Sequence, residues 1–245
     1  MKPDIPALRR LWKEAFGDED AFLDDFFCTA FSSRRMRTIT ENGQLKAALY
    51  WFDCSCRGKK IAYLYAVATA KAFRGKGLCR RLMEDTHRQL SREGYAGAVL
   101  VPGEAALFPM YAGMGYTSIS GISEFSCTAR PGSLALTRIS GEDYARLRRD
   151  LLPPGSVLQE GENLALLQTQ CALFAGEGIL LAAKKEGNVL LCAELLGRPA
   201  AAPEILDALG CDRGTFRTPG STRPFAMYHP FTEDPAPGYF GLAFD

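Results

Sequence analysis

The sequence predicts an α/β (α+β) protein with a second, smaller α/β domain, and three observations carry that expectation. Tight turns at Asn42-Gly43 and Arg57-Gly58-Lys59 separate apolar extended segments, the pattern of consecutive hairpins. An amphipathic helix, Leu78 to Arg92, lies between two buried strands. After Arg130-Pro131-Gly132-Ser133, which reads as a linker, the pattern partly restarts. The expected domains are residues 1–130 and 133–245.

Each element follows from local signals. Leu8, Leu11, Trp12, Ala15 and Phe16 recur at helical spacing, and Gly17 ends that helix. Asp18 to Phe27 opens with acids, which suit a helix N-terminus. Met36 to Thr40, Leu45 to Phe52 and Ile61 to Thr69 read as strands, the last apolar enough to be central. In the helix from Leu78, the residues Leu82, Met83, Thr86 and Leu90 face inward, while Arg80, Arg81, Glu84, Asp85 and Arg88 face water. His87 belongs with the solvated face. Ala96 to Val101 is a short buried strand, Glu104 to Tyr111 a short helix, and Tyr116–Ser120 and Ile122–Thr128 two strands turning at Gly121.

Beyond the linker, Leu134 to Ile139 is an expected strand, Glu142 to Leu151 a helix and Leu164 to Phe174 a second helix. Ile179–Ala183 and Val189–Leu195 form a hairpin around Glu186-Gly187-Asn188. Pro203 to Leu209 is a helix, Gly210 to Pro224 a long loop, Met227 to Pro230 a loop or strand end holding His229, and Tyr239 to Phe244 an end strand. The two halves share no residue-level repeat, yet the second echoes the element order of the first.

Composition excludes several classes. The 245 residues are 47% hydrophobic and 23% charged, which rules out wholesale disorder. Lys plus Arg total 29 against 28 Asp plus Glu, so bulk charge does not equip the chain to grip nucleic acid or an anionic membrane. No apolar run is long enough to span a bilayer, and the N-terminus lacks a signal-peptide core. The eight cysteines are scattered without a Cys-x-x-Cys pair, so reduced structural thiols and a cytoplasmic location are expected, with no metal site at Cys54 and Cys56.

The stretch that carries chemistry runs from Val67 to Cys79. A buried strand ends, a loop holds Gly75 and Gly77, and an amphipathic helix begins. A helix N-terminus offers unpaired N–H groups and partial positive charge. Glycines let phosphates approach the backbone, and Arg74 and Lys76 add cationic donors. Together these suit a pyrophosphate. A P-loop needs Ser or Thr after Gly-Lys, which is absent, and a dinucleotide fingerprint needs Gly where Arg80 stands.

Here the sequence resembles the GNAT superfamily of acyl-CoA-dependent N-acyltransferases, over roughly residues 1–128. The motif Arg74-Gly75-Lys76-Gly77-Leu78-Cys79 follows the aromatic Phe73, and about 35 residues on Phe108-Pro109-Met110-Tyr111-Ala112-Gly113-Met114-Gly115-Tyr116 matches a second family feature. The resemblance implies a GNAT-like mixed, mainly antiparallel sheet flanked by helices, with acetyl-CoA as co-substrate and no metal. It implies that Val67, Ala68 and Thr69 pair with the pantetheine arm, that the loop Arg74, Gly75, Lys76, Gly77, Leu78 and Cys79 takes the pyrophosphate, and that Tyr111 is the catalytic proton donor. It further implies acyl transfer by direct attack of a small-molecule or peptide amine.

The chemistry sets further needs. An alkyl ammonium of pKa ~10.4 must lose a proton before attack, so a base or a water chain to one is useful. Glu41, Asp53, Glu104 and Glu124 are candidates, as is the terminal carboxylate of Asp245, and the sequence does not choose among them. Cys79 replaces the small last residue of the motif, and no His can be placed beside it as for a nucleophile. The acidic run Asp18 to Asp25 and the cluster Arg34, Arg35 and Arg37 read as solvated surface. The second half has no Arg-x-x-Gly-x-Gly match, which makes it a degenerate GNAT-like or substrate-pocket domain. The alternative for the whole is a non-catalytic acyl-CoA-binding or regulatory module.

Overall fold

The computed structural model describes residues 3–244. Asp4 starts helix α1 (Ile5–Phe16) by accepting the Ala7 N–H at 3.0 Å, and Gly17 ends it at φ 79°. Helix α2 (Asp20–Thr29) follows, then strands β1 (Met36–Glu41), β2 (Gln44–Cys56) and β3 (Lys59–Thr69), helix α3 (Leu78–Arg92), strand β4 (Gly97–Leu100) and the short helix α4 (Phe108–Ala112). The remaining elements are β5 (Thr117–Thr128), β6 (Thr137–Arg138), α5 (Gly141–Leu151), β7 (Leu158–Gln159), α6 (Glu162–Gln170), β8 (Ala172–Gly176), β9 (Ile179–Glu186), β10 (Val189–Gly197), α7 (Ala202–Ala208), β11 (Arg213–Gly220) and β12 (Arg223–Pro230). The architecture is mixed α/β, with a mostly antiparallel sheet flanked by helices.

The chain divides into two compact units. The first comprises the described residues up to Thr117 together with Tyr228–Ala236. The second comprises Ser118–Met227 and the residues from Pro237 on. The sequence expectation put the division in the linker at 130–133. Chain contacts divide it at Thr117 and return a later segment to the first unit, a non-local pairing that no linker composition signals.

In the first unit the strand order is β1-β2-β3-β4, antiparallel except for the parallel pair β3–β4. The tail of β12 completes it: Tyr228 Oη donates to the Ala96 carbonyl at 3.0 Å, and the Tyr228 ring covers Gly97, where a Cβ would come within 2.2 Å of it. Helices α1 and α2 bury an aromatic cluster on β2 and β3. Trp12 lies 4.7 Å from Phe26 and 5.2 Å from Tyr50, ring centre to ring centre. The acids of α2 are used structurally, since Asp20 pairs with Arg9 and Lys13, and Asp18 accepts the Trp12 indole N–H.

In the second unit the order β5-β11-β10-β9-β8-β6 surrounds two apolar layers. Alternate residues of β9 feed them: Ile179, Leu181 and Ala183 pack with α7 residues Ile205 and Leu206, while Leu180 and Ala182 pack with Tyr144, Leu164 and Leu167. Apart from the two-residue β7 between α5 and α6, the order α5, α6, β8, β9, β10, α7, β11, with β10 parallel to β11, repeats that of α1, α2, β1, β2, β3, α3, β4. Both units also carry a register break at the corresponding strand, in β2–β3 at Ala48/Tyr50 and in β9–β10 at Cys192/Glu194.

Several expected elements differ. The helix expected over Leu164–Phe174 stops at Gln170, because Ala172–Gly176 extends to pair with β9. The Gly210–Pro224 stretch is not a loop: Arg213–Gly220 is strand β11, and its Pro219 lies past the last β10 pairing at Phe216, where no ladder N–H is needed on that side. Residues 117–128 form one strand rather than two. Gly121 sits within it because a Cβ there would come within 2.8 Å of the Gly220 carbonyl. The strand expected over Leu134–Ile139 shrinks to Thr137–Arg138. Tyr239–Phe244 is not a ladder strand; its backbone is held by Val157 and by the Gln159 side chain. His229 lies within β12.

The second unit hides an ion pair. Glu194, just past the β10 bulge, accepts two hydrogen bonds from Arg148 of α5 at 2.7 and 2.9 Å and one from Tyr144 Oη at 2.8 Å. Both charged side chains are at most 2% exposed. Removing one partner strands the other charge in a dry interior. Arg148→Met is therefore expected to lower stability by about 3–5 kcal/mol in urea unfolding, with much of the loss recovered by adding Glu194→Leu.

Candidate active site

The first unit contains a cavity of about 780 Å³ where β3 ends and α3 begins. Its form follows from the strands. Pairing between β3 and β4 is confined to Ile61–Tyr63 with Gly97–Val99, and the rest of β3 extends beyond the end of β4 at Leu100. Ala66 adopts a left-handed φ of 49° at the bulge opposite Leu49. The peptide groups of Ala66–Ala68 that point away from β2 are thus left without a strand partner. An extended amide-bearing ligand arm can pair there as an added strand.

The loop after β3 forms the second wall. Gly75 and Gly77 both have φ +74°, a conformation that disfavours side chains, and a Cβ at either would meet nothing within 4 Å. Gly77 caps α3 without a side-chain hydrogen bond. The first turn of a 15-residue helix therefore presents its N–H groups openly beside two glycines. Arg74 Nε donates to the Thr69 carbonyl at 3.1 Å, and Arg80 donates to Gly113 O at 3.0 Å. Lys76 Nζ rests over the Phe73 ring at 5.3 Å.

Val67, Ala68, Thr69, Arg74, Gly75, Gly77, Leu78 and Cys79 all line this cavity, as does Tyr111 from α4; Lys76 does not. Tyr111 is buried, and among the described residues its hydroxyl has no hydrogen-bond partner. Burial raises its pKa above the ordinary tyrosine value, helped by nearby Cys79, so it holds its proton at neutral pH. Burial likewise raises the Cys79 thiol, which disfavours a nucleophilic thiolate.

The carboxylates separate clearly. Glu41 is paired with Lys46 at 2.6 Å and Arg81 at 3.1 Å, and the Lys46 hydrogen bond leads in pulling its pKa down. Asp53 is paired with Arg35 and bonded by Tyr95, and Glu124 pairs with Arg217 and Arg223. Of these four, Glu104 alone lines the cavity. The terminal carboxylate of Asp245 lies outside the described residues. Among the described residues no group of His, Cys, Asp and Glu could hold a metal ion, and no helix is long and apolar enough to cross a membrane. A hollow of about 550 Å³ in the second unit is lined by exposed charges already paired, Arg149 with Glu160 and Arg146 with Asp143.

His87 corrects the sequence expectation of a solvated side chain. It shares the inner face of α3 with Met83 and Leu90, is 9% exposed, and its Nε2 hydrogen-bonds Tyr116 Oη at 2.8 Å. Its ring lies 4.4 Å from that of His229, distant in sequence but delivered by β12. Periodicity alone leaves position 87 on the boundary of the apolar stripe, and the aromatic residues that cover it come from elsewhere in the chain. Burial pulls the His87 pKa down to about 3, with repulsion from His229 adding to the effect. An unfolded histidine near 6.5 binds protons more readily than this folded one. The stabilisation is therefore complete above pH 6.5 and declines as pH falls from there toward 3, by at most ~1.4 kcal/mol per pH unit. Thermal unfolding between pH 7.5 and 4 is expected to show a falling midpoint, and His87→Gln a shallower fall.

Comparison with known proteins agrees with this geometry. Residues 2–119 match the model of the acetyltransferase (GNAT) domain, so the first half of the chain belongs to the GNAT acetyltransferase family, whose general activity is acyl transfer. Solved structures share the fold across nearly the whole chain. A GCN5-related N-acetyltransferase from Kribbella flavida is 16% identical at a TM-score of 0.69, with 91% of this chain and 68% of that one covered. One from Anabaena variabilis is 14% identical at a TM-score of 0.71, with 95% and 71% covered. A putative acetyltransferase from Pyrococcus horikoshii is 10% identical at a TM-score of 0.66, with 98% and 90% covered. At such identities the likeness is one of fold. Among curated proteins no sequence matches.

Proposed function

We propose that the protein is an N-acetyltransferase that moves an acetyl group from acetyl-CoA to a primary amine of a small molecule or peptide. The observation that carries this is the union, on one cavity, of an unpaired strand end, a glycine loop at a helix N-terminus, and a protonated tyrosine. When bound, acetyl-CoA supplies the activated thioester. Val67, Ala68 and Thr69 pair with its pantetheine amides, and the N–H groups of Gly75 to Cys79, with Arg74, hold the pyrophosphate. A β3 N–H near Val67 or Ala68 faces the oxygen on which charge develops. Tyr111 gives its proton to the departing thiolate. Glu104 is our candidate to accept the proton of the incoming ammonium. The amine attacks directly, with no covalent enzyme intermediate, since Cys79 is held as a thiol.

We further propose that the second unit is a degenerate copy of the first. It follows the same element order but has no Arg-x-x-Gly-x-Gly loop, and just past its bulge Glu194 is buried against Arg148. We place the protein in the cytoplasm, on the strength of eight cysteines that form no disulfide among the described residues. The test is acetyl-CoA-dependent thiol release across a panel of amines, run beside calorimetric CoA binding. A second reading, a non-catalytic acyl-CoA-binding or regulatory module, is favoured by the ion-pairing of three of the candidate carboxylates, Glu41, Asp53 and Glu124. CoA binding without transfer to any amine supports that reading.

A further inference from the structure

We propose that His87 is a positioning residue for Tyr111, acting through the hydroxyl and ring of Tyr116. This rests on the acetyltransferase reading above and deepens it.

Among the described residues the Tyr111 hydroxyl is held by no hydrogen bond, so its direction is set by what its ring touches. Its aromatic neighbour is Tyr116, edge-on at 5.8 Å and 65°. Tyr116, in contrast, is fixed at three points. Its N–H donates to the Tyr111 carbonyl at 3.2 Å, which ties the two residues through the backbone. Its hydroxyl meets His87 Nε2 at 2.8 Å, and its ring lies 5.3 Å from that of His229. His229 Nδ1 donates to the carbonyl of Gly115, the residue before Tyr116, at 3.2 Å. Gly115 itself has φ +87°, and a Cβ there would lie 3.2 Å from the His229 ring, so the chain reverses flush against that histidine.

His87 is in turn wedged between His229 and Phe231, at 4.4 and 5.4 Å. A helix, a chain reversal and a strand tail thus converge on one tyrosine that packs edge-on against Tyr111 of the cavity wall. The polar bond in this cluster links two fully or nearly buried groups, where a lost partner leaves an unsatisfied atom. Without it the Tyr116 ring is free to shift, and the Tyr111 hydroxyl moves with it relative to the end of β3. Catalytic groups tolerate such shifts poorly, since a misplacement of ~1 Å can lower turnover by as much as ~100-fold.

The test uses the full chain and the variants Tyr116→Phe, His87→Leu, His87→Gln and Tyr111→Phe, plus the Tyr111→Phe/Tyr116→Phe double. Tyr116→Phe keeps the ring and removes one oxygen, so folding is preserved; melting curves check it. We expect Tyr116→Phe and His87→Leu to lower kcat by about tenfold while KM for acetyl-CoA stays within about twofold. His87→Gln, which retains a hydrogen-bonding group, recovers most of the rate. In the Tyr111→Phe background Tyr116→Phe adds little, because its effect passes through the hydroxyl already removed. Wild-type kcat in Tyr116→Phe, or an equal loss with and without the Tyr111 hydroxyl, overturns the positioning role and leaves the transferase reading standing. Wild-type protein that binds CoA but acetylates no amine overturns the transferase reading, and the positioning role with it.

Discussion

Gly77→Glu is expected to abolish measurable CoA binding, a loss of at least ~100-fold by calorimetry. Three effects act together at this one position. Gly77 holds φ +74°, where an L-residue is strained by roughly 1–2 kcal/mol. The added carboxylate stands at the helix N-terminus and takes for itself the N–H groups and positive potential meant for a diphosphate. It also brings like charge against that diphosphate, in a cavity where screening is weaker than in water. The apo protein accommodates the side chain, since a Cβ meets nothing within 4 Å, so the variant is expected to fold. Gly77→Ala separates the effects: it keeps the backbone strain without the charge and is expected to weaken binding by about tenfold or less. Unchanged CoA affinity in Gly77→Glu removes the loop from the cofactor site.

Tyr111→Phe is expected to lower kcat by about 100-fold with CoA affinity nearly unchanged. The ring and its packing against Tyr116 survive, and only the donor is lost. Because burial keeps the Tyr111 pKa above its ordinary value, the wild-type kcat should show no alkaline decline from this group through pH 9. An acyl-donor analogue whose departing thiol is more acidic, and so leaves more readily, should be less sensitive to the substitution. A variant with full turnover retires Tyr111 as the donor.

The parts of the fold visible in the sequence were those governed by neighbours in the chain. The Asn42-Gly43 turn, the helix from Leu78 and the glycine loop all depend on contacts a few residues apart. The cavity therefore gathered eight of the nine expected cofactor-side residues, with Lys76 displaced onto Phe73. What stayed hidden was set by distant partners. Ala66 in a left-handed conformation has no compositional signature, because the bulge in its pairing with β2 demands it. Gly210–Pro224 reads as a loop until β5 is there to pair with it. His87 looks solvated and becomes buried only when β12 brings His229, 142 positions away, against it. The choice among carboxylates was likewise opaque, since ion pairing across strands decides which of them is engaged.

The assignment of Tyr228–Ala236 to the first unit bears on how this protein can be born. On the ribosome, more than a hundred intervening residues emerge before the segment that covers Gly97 and stacks on His87. The nascent N-terminal portion must wait, with β4 and the back of α3 uncovered, until Tyr228–Ala236 has been made. A gene fragment ending near residue 119, where family resemblance stops, would yield a polypeptide that keeps the glycine loop and Tyr111 yet is expected to aggregate or melt early.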